Sequence, residues 1–250
     1  MKFEEMINTI QLGDCYELIK NIPDKSIDLV YIDIPYLYDS GGNVGTDKSP
    51  VSQRIAKVRN EYLKNISDGI DYSILDELCR VMKYIYIYIW CSKKQILDLM
   101  KYFIDKKGCN FEILVWCKTN PTPATNNSYL PDLEYCLMFR EKGCKLNDGY
   151  ELKSKWHLTP INKTDKDLFN HPTIKPLELV KRHILHSTKP NDIVLDCFCG
   201  SGTTCLAAKE TDRRYIGMEI DKEYHKIAVD RLNGITANGQ TSIFTDFENI

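Results

Sequence analysis

The 250-residue sequence predicts an α/β fold: a doubly wound, mostly parallel, seven-stranded sheet with one antiparallel edge strand. Two observations support this prediction. Short apolar runs alternate with longer segments of helical periodicity, and turn residues bound each run, as is typical of strands buried on both faces. Hydrophobic residues make up 43% of the chain and charged residues 27%, the balance of a globular protein. We therefore expect one domain, residues 1–250.

Each predicted element is a short range of the chain. The connection between the apolar runs 111–117 and 133–139 is rich in Pro and Asn and too short for a crossover helix, which predicts an antiparallel pair at one edge. Two long stretches, 37–60 and 141–170, are expected to be irregular, as functional or disordered loops are. The predicted strands are 8–12, 27–33, 84–90, 111–117, 133–139, 192–196 and 215–219; the predicted helices are 15–21, 71–82, 93–107, 176–187, 203–211 and 221–233.

Composition excludes several classes of protein. The formal net charge of −2 means that any nucleic-acid surface must be a local basic patch. The ten cysteines contain no C-x-x-C pair, so they predict small reduced core residues and no metal site. The strongest apolar run, 84–90, is too short to span a bilayer, and no signal peptide is evident. We expect a soluble, cytoplasmic protein.

The segment VLDCFCGSGTTCLAA, residues 194–208, predicts a ligand site. A strand ends at Asp196, a turn with Gly200 and Gly202 follows, and a helix then offers its N-terminal N–H groups. Glu219 ends the next strand, where an acid can accept hydrogen bonds from ribose hydroxyls. No lysine follows the glycines and a third glycine is missing, which favours a nucleoside without a pyrophosphate, such as S-adenosylmethionine, over ATP or a dinucleotide. A tight turn without a ligand is the alternative.

A longer stretch carries a family resemblance. HPTIKPLELVKRHILHSTKPNDIVLDCFCGSGTT (171–204), with DIPY (33–36) upstream, resembles the DNA amino-methyltransferases in their circularly permuted beta arrangement. The resemblance covers about residues 13–232 and implies a Rossmann-like methyltransferase fold that uses S-adenosylmethionine. In that order of motifs, target-recognition sequence lies between the catalytic box and the cofactor loop. Joining the two chain ends would restore a continuous doubly wound sheet.

The resemblance implies a set of cofactor-binding residues. Asp14 should bind the adenine amine of the cofactor, although it could equally be the N-cap of the next helix. Thr173 and Lys175 are candidates for the cofactor carboxylate, or only part of a helix start. The complete set is Asp14, Cys15, Thr173, Lys175, Asp196, Phe198, Gly200, Ser201, Gly202, Thr203, Thr204 and Glu219.

The Asp-Ile-Pro-Tyr box, residues 33–36, is predicted to be catalytic. The Asp33 carboxylate and the backbone carbonyl of Ile34 can accept the two N–H groups of an exocyclic amine, whose lone pair must leave conjugation to attack. Pro35 restrains the carbonyl before it, and Tyr36 offers a face for stacking of an extruded base. The family usually has proline where Ile34 stands, so an additional N–H needs a partner. Cys197 also replaces a usual proline, in the cofactor turn.

Asp33 favours adenine N6 as the target, because family members with Asp first in the box mostly methylate adenine. The alternatives are cytosine N4, an RNA or protein amide, and a catalytically silent protein that binds cofactor and nucleic acid. Double-stranded DNA is expected to meet a mobile loop, 37–64, and a target-recognition insertion, 119–168, with a short target site or a homodimer. A cognate restriction endonuclease is a possible partner. The candidate DNA-binding residues are Lys48, Arg54, Lys57, Arg59, Lys153 and Lys155.

Overall fold

The computed structural model describes residues 2–37, 69–121, 129–147, 149, 153–161, 168–169 and 174–236. The strands are β1 (Thr9–Leu12), β2 (Leu29–Asp33), β3 (Tyr86–Cys91), β4 (Asn110–Lys118), β5 (Leu133–Arg140), β6 (Trp156–Thr159), β7 (Ile193–Asp196) and β8 (Arg214–Glu219). The α-helices are α1 (Phe3–Met6), α2 (Cys15–Leu18), α3 (Ile74–Val81), α4 (Ile96–Met100), α5 (Leu177–Ser187), α6 (Thr203–Glu210) and α7 (Lys222–Leu232). A 3₁₀ turn, Ile19–Asn21, follows α2, and a π-helical segment, Lys101–Lys106, continues α4.

Within the described residues the strands form one sheet in the order β1-β8-β7-β2-β3-β5-β4-β6. Only β5 is antiparallel to its neighbours, which are β3 and β4; the other neighbouring pairs are parallel. The mostly parallel α/β fold and the antiparallel pairing of β4 with β5 are therefore confirmed. The sheet differs from the prediction in two ways: it has an eighth strand, β6, and its antiparallel strand, β5, is internal because it lies between β3 and β4. Strand β6 has four residues of mixed polarity and forms by pairing with β4, which gives little sequence signal.

The first and last strands in the sequence are neighbours in the sheet. The N-terminal strand β1 pairs in parallel with β8, the last strand, and Leu12 lies beside Glu219. The next strand, β7, pairs in parallel with β2. This order confirms that joining the chain ends would give a continuous doubly wound sheet. It also brings the glycine turn after β7 and the box after β2 to the same edge of neighbouring strands.

Helices cover both faces of the sheet because strand side chains alternate between two apolar cores. In β2, Val30 and Ile32 pack into the core beneath α1 to α4 and the π segment, whereas Leu29 and Tyr31 pack into the core beneath α5, α6 and α7. All six residues of β3 are buried, as expected for a central strand. Seven of the ten cysteines are buried and all ten are free thiols, which confirms their role as core residues. Within the described part of the chain, every helix is too short or too polar to cross a membrane.

Candidate active site

Four neighbouring parallel strands place an acidic residue at or just after their carboxyl ends. β8 ends in Glu219, β7 in Asp196 and β2 in Asp33, while Asp14 follows β1 by two residues. In the order β1-β8-β7-β2 these acids lie side by side along one edge of the sheet. Ligands of open α/β sheets bind in the crevice outside these strand ends. The sheet therefore assembles an acidic edge from residues far apart in the sequence.

The glycine turn after β7 has the backbone geometry that only glycine adopts without strain. Gly200 has φ +49° and Gly202 has φ +76°, and Gly202 is the residue before the first turn of α6. A Cβ atom on Gly202 would lie 3.0 Å from the Cβ atom of Ala228 on α7. The sequence thus predicted this turn correctly, and its tightness comes from the close approach of α7.

Glu219 and Asp196 accept hydrogen bonds from the backbone of the turn. Glu219 accepts hydrogen bonds from Gly200 N–H at 2.8 Å and from Asp221 N–H at 2.9 Å. The Gly200 N–H is therefore already hydrogen-bonded, whereas the sequence predicted that the donors at this turn would be free. Asp196 accepts from Phe198 N–H at 3.0 Å. Burial raises the pKa of Glu219 above its ordinary value, and burial raises that of Asp196 to about 7.

A buried arginine on α7 holds the start of α6. Arg231 donates to the Thr203 hydroxyl at 2.7 Å and to the Ser201 carbonyl at 3.3 Å. Ser201, Thr203 and Thr204 are all buried. At the other end of the site, Asp14 accepts from Tyr16 N–H at 2.9 Å and is the N-cap of α2, and Cys15 behind it is buried. The N-cap reading of Asp14 is thus confirmed, and its exposed carboxylate remains available to a ligand.

This set of groups fits S-adenosylmethionine better than a phosphorylated nucleotide. Carboxylates accept hydrogen bonds from ribose hydroxyls and from an adenine amine, and they favour positive charge. A pyrophosphate on the same edge would face Glu219, Asp196 and Asp33 and be repelled. The sequence predicted a cationic nucleoside cofactor because a lysine and a third glycine are missing from the turn. The acidic edge supports that prediction.

The Asp-Ile-Pro-Tyr box lies at the end of β2 in a network of buried charges. Lys175, just before α5, donates to Asp33 Oδ2 at 2.6 Å and to the Tyr36 hydroxyl at 3.3 Å, and pairs with Glu134 Oε2 at 2.9 Å. An ammonium group has three N–H donors, and these three acceptors match them. The role of Lys175 as a ligand of the cofactor carboxylate stays a prediction, and these contacts disfavour it.

Glu134 on β5 divides its two oxygens between two lysines. Its Oε1 atom pairs with Lys118 at 2.6 Å, while Oε2 faces Lys175 and accepts from the Tyr36 hydroxyl at 3.3 Å. Burial opposes ionisation of Glu134, but the two lysines lower its pKa to about 2. For Asp33, burial outweighs the opposing effect of Lys175, so its pKa is raised.

Asp33 has one unused acceptor. Its Oδ1 atom is shielded from solvent and has no hydrogen-bond partner among the described residues, an uncommon state for a buried polar atom. The additional N–H of Ile34 does find a partner, since it donates to the Trp90 carbonyl at 3.2 Å and lengthens the contact between β2 and β3. Isoleucine is therefore accommodated in the box without an unpaired amide.

The candidate DNA-binding residues are only partly described. Lys153 and Lys155 are exposed next to β6, and Lys155 forms an ion pair with Glu112. Trp156 is also exposed, at 58%. The predicted insertion 119–168 contributes β5 and β6 to the sheet, and its role in target recognition stays a prediction. Lys48, Arg54, Lys57, Arg59 and Thr173, and the loop 38–64, lie outside the described residues.

Sequence reasoning missed four residues of the site: Gln95, Lys118, Glu134 and Arg231. Glu134 meets Lys175, and brings Lys118 with it, only because β5 enters the sheet beside β3, which no local pattern indicates. Gln95 had a usable signal, because Ser92-x-x-Gln95 before a helix is a capping-box pattern. Arg231 looked like an ordinary basic residue in the last turn of a helix.

Comparison with known proteins identifies the class. A family model described as "DNA methylase", which covers N6 and N4 methyltransferases, matches residues 27–230. The chain is 31% identical over 239 residues to the type II methyltransferase M2.LlaDCHI of Lactococcus lactis subsp. cremoris, with 88% of this chain and 87% of that protein covered. It is also 31% identical over 260 residues to the type II methyltransferase M.HinfI of Haemophilus influenzae, covering 94% of this chain and 70% of that protein.

Solved structures agree with this class. The crystal structure of the M1.HpyAVI–SAM complex superimposes with a TM-score of 0.66 at 27% identity, covering 90% of this chain and 98% of that one. The cytosine-N4-specific PvuII DNA methyltransferase superimposes with a TM-score of 0.67 at 18% identity, covering 96% and 87%, and shows the fold alone. The fold and the site define an S-adenosylmethionine-dependent methyltransferase. The chain belongs to the N6/N4 DNA methylase family.

Proposed function

We propose that this protein transfers a methyl group from S-adenosylmethionine to the exocyclic N6 amine of adenine in a specific sequence of duplex DNA. The observation that carries the proposal is the shielded Oδ1 atom of Asp33, which has no hydrogen-bond partner among the described residues. It lies at the end of β2, directly beside β7 and its glycine turn. A buried acceptor without a partner, next to a cofactor site, suits a substrate that brings its own N–H group.

The cofactor supplies an electrophilic methyl group on a positively charged sulfur. The residues that would hold it are the glycine turn, Glu219 toward the ribose and Asp14 toward the adenine amine, and the likeness to the M1.HpyAVI–SAM complex supports this assignment. Ser201, Thr203 and Thr204 shape the first turn of α6 through their buried hydroxyls. The negative charge of the acidic edge favours a cationic ligand.

The two acceptors of the box would orient the target amine. Asp33 Oδ1 accepts one N–H and the Ile34 carbonyl accepts the other, which turns the nitrogen lone pair out of conjugation and toward the methyl group. The lone pair forms the new N–C bond as the methyl–sulfur bond breaks. The nitrogen then loses a proton, which Asp33 takes up. A raised pKa suits Asp33 to this role, because the carboxylate is then a better proton acceptor.

Lys175 and Glu134 would keep the local charge balanced through this step. Before transfer, Lys175 lies between two carboxylates, at 2.6 Å from Asp33 and 2.9 Å from Glu134. When Asp33 accepts the proton, Lys175 still has an ionised partner, because the pKa of Glu134 is lowered to about 2. Neutralising Asp33 therefore does not strand an unpaired buried ammonium group.

Tyr36 would stack on the target base after it leaves the duplex, since the amine is inaccessible within the helix. Its hydroxyl is tied to Glu134 and Lys175, so the ring is fixed in orientation. Such stacking stabilises an extruded base by roughly 1–3 kcal/mol. Lys153 and Lys155 are proposed phosphate contacts. A homodimer and a companion restriction endonuclease stay predictions, and the type II names of the relatives support the second.

Cytosine N4 is the second candidate target. The matching family model covers N4 as well as N6 enzymes, and both bases present a conjugated exocyclic amine that needs the same two acceptors. Asp33 as the first residue of the box favours adenine. Expression in a host without DNA methylation, followed by modification-sensitive sequencing of its genome, reports both the base and the sequence context.

An Asp33→Ala variant is the matched control for that experiment. We expect it to bind S-adenosylmethionine with wild-type affinity and to leave the genome unmodified. Methylated adenine at a defined motif with the wild-type protein, lost in the variant, supports the proposal. If the wild-type protein instead methylates N4 of cytosine, cytosine and not adenine is the target. Cofactor binding with no modified base would contradict methyl transfer to DNA, and full activity of Asp33→Ala would contradict the role of Asp33.

A further inference from the structure

The contact between β2 and β3 ends in an unusual way beside the box. Ile34 N–H donates to the Trp90 carbonyl at 3.2 Å, one step beyond the last paired residues of the two strands. In a parallel ladder the next bond would run from Ser92 N–H to the Ile34 carbonyl. Ser92 N–H instead donates to the side chain of Gln95, at 3.0 Å from its Oε1 atom. The hydrogen bonds between β2 and β3 therefore end one bond earlier than the backbones would allow.

A local helix cap explains only part of this arrangement. Ser92 and Gln95 interact in the turn before α4, where the glutamine side chain reaches back and accepts from both the N–H and the hydroxyl of the serine, as in one half of a capping box. Capping does not require the other contacts of the same side chain. Gln95 Nε2 donates to the Pro35 carbonyl at 2.9 Å, and Gln95 Oε1 accepts from Leu37 N–H at 3.4 Å. The residue is 1% exposed, so these bonds are made in a dry environment.

As a result, the two backbone carbonyls in the middle of the box differ in their hydrogen bonding. The carbonyl of Pro35 is bonded, whereas the carbonyl of Ile34 accepts no hydrogen bond from the described residues. Since N–H and C=O of one strand residue point to the same side, the Ile34 carbonyl faces the space that Ser92 N–H would have filled. Asp33 Oδ1 is the second unpaired acceptor, on the adjacent residue.

We propose that Gln95 is a positioning residue for methyl transfer: by capturing Ser92 N–H and fixing the Pro35 carbonyl, it keeps the Ile34 carbonyl free for the target amine. The inference rests on the proposed function, and it holds equally for adenine and cytosine because both amines need two acceptors. Without Gln95, Ser92 N–H pairs with the Ile34 carbonyl, and the amine loses one of its two acceptors. Gln95 acts through the backbone and makes no contact with the substrate.

Two substitutions of Gln95 distinguish its hydrogen bond with Ser92 from its hydrogen bond with Pro35. Gln95→Met keeps the volume of the side chain and removes both the acceptor for Ser92 and the donor for Pro35. Gln95→Glu keeps an acceptor for Ser92 N–H, removes the bond to Pro35 and adds a negative charge at a buried position. Gln11→Met is the matched control, because Gln11 is a partly buried glutamine on β1 whose amide donates, among the described residues, to the nearby Thr9 hydroxyl.

The rate of methyl transfer in a single turnover, with saturating S-adenosylmethionine and DNA, is measured beside the two dissociation constants. We expect Gln95→Met to lower this rate by about a hundredfold, as a misplaced reacting group does. Both dissociation constants should stay within about twofold of wild type, because Gln95 lies outside the glycine turn. Gln95→Glu should lose less, and Gln11→Met should match wild type.

A readout independent of activity is the structure of Gln95→Met, in which Ser92 N is expected within hydrogen-bond distance of the Ile34 oxygen. The proposal is overturned if Gln95→Met keeps the wild-type transfer rate, if its rate and cofactor affinity fall together, or if Ser92 stays away from Ile34. If Gln95→Met does not fold, Gln95→Glu decides: a wild-type rate in that variant, with the Pro35 bond lost, also overturns it. Inactivity of the wild-type protein would contradict the proposed function, whereas the Ser92 contact is testable in either case.

Discussion

The ammonium group of Lys175 lies 2.6 Å from Asp33 Oδ2, although 142 residues separate the two in sequence. Glu134, on a third segment, lies 2.9 Å from the same ammonium group. One cation thus lies between two carboxylates of unequal environment: Glu134 has a second lysine, Lys118, whereas Asp33 has no second lysine among the described residues. This asymmetry lowers the pKa of Glu134 and leaves that of Asp33 raised. The pair sets how readily Asp33 accepts a proton.

Lys175→Met should shift the pH dependence of methyl transfer to higher pH. The ammonium group is the principal effect that opposes the burial-raised pKa of Asp33, so its removal raises that pKa further. Asp33 must be ionised to accept an N–H, and activity is lost as pH falls through its pKa. We therefore expect the acid limb of the rate–pH profile to move to higher pH, and the rate at a pH on that limb to fall about tenfold for each unit by which the pKa rises.

Lys181→Met is the control for that variant. Lys181 lies on α5, six residues further on, and pairs with Glu178 and Glu210 away from the box. Its removal should leave the profile unchanged. An unshifted acid limb in Lys175→Met, with normal folding, would show that the lysine does not govern Asp33.

Glu134→Gln should move the same limb in the opposite direction. The charge of Glu134 raises the pKa of Asp33, and its loss leaves Lys175 to interact with Asp33 alone. The pKa of Asp33 should fall, so activity persists to lower pH. The plateau rate should also fall, because a more strongly paired carboxylate is a weaker acceptor. Rate–pH profiles under single-turnover conditions measure both effects.

The matched control is Glu112→Gln on the neighbouring strand β4, where the carboxylate pairs with Lys155. It should reproduce the wild-type profile. A shift of the Glu134→Gln limb to higher pH would contradict the described balance of charges.

The sequence predicted the geometry of the glycine turn better than the surroundings of Asp33. Gly200, Gly202 and Glu219 belong to local patterns, a turn between a strand and a helix and an acid at the next strand end, and the structure brings them together. Asp33 and its box were found for the same reason. The partners of Asp33 were not found, because Glu134 and Lys118 come from strands whose order in the sheet depends on tertiary packing.

Strand β6 and residue Gln95 show two further limits of sequence reasoning. β6 is four residues long and exists as an edge paired with β4, so neither length nor alternation indicates it. Gln95 belongs to a recognisable capping pattern, but its second bond, to Pro35, depends on the close approach of two strand ends. Neither group was predicted, because the contacts that define both of them form only in the folded chain.

Gly202→Ala should destabilise the protein more than Gly108→Ala does. Both glycines have similar positive φ angles, +76° and +70°, but a Cβ atom on Gly108 would meet nothing within 4 Å, whereas one on Gly202 would lie 3.0 Å from Ala228. Gly108→Ala should cost about 1–2 kcal/mol of unfolding free energy from backbone strain. Gly202→Ala should cost a further ~1–3 kcal/mol from crowding.

Urea unfolding of both variants measures the difference, and cofactor titration adds a second comparison. We expect weaker S-adenosylmethionine binding for Gly202→Ala only, since Gly202 starts α6 at the glycine turn. Equal losses of stability in the two variants would show that α7 yields to the additional methyl group.

Asp196→Asn should stabilise the cofactor-free protein at neutral pH and flatten its pH dependence. Burial raises the pKa of Asp196 from 3.8 to about 7, so between these values the folded state binds a proton that the unfolded state has released. Stability then falls as pH rises through this window, because the unfolded state binds fewer protons. The penalty is fully developed above pH 7 and amounts to a few kcal/mol, at ~1.4 kcal/mol for each unit of pKa shift.

An asparagine keeps an oxygen for the Phe198 N–H and carries no charge, so the variant should lose this penalty. Unfolding free energies of wild type and variant, measured from pH 4 to pH 8, should diverge steadily as pH rises, with the variant more stable at the upper end. Asp28→Asn is the control, because Asp28 pairs with Lys83 near the opposite end of β2 and should not produce that divergence. Parallel curves for wild type and Asp196→Asn would mean that Asp196 is ionised at little cost, because the donors of the turn stabilise its carboxylate.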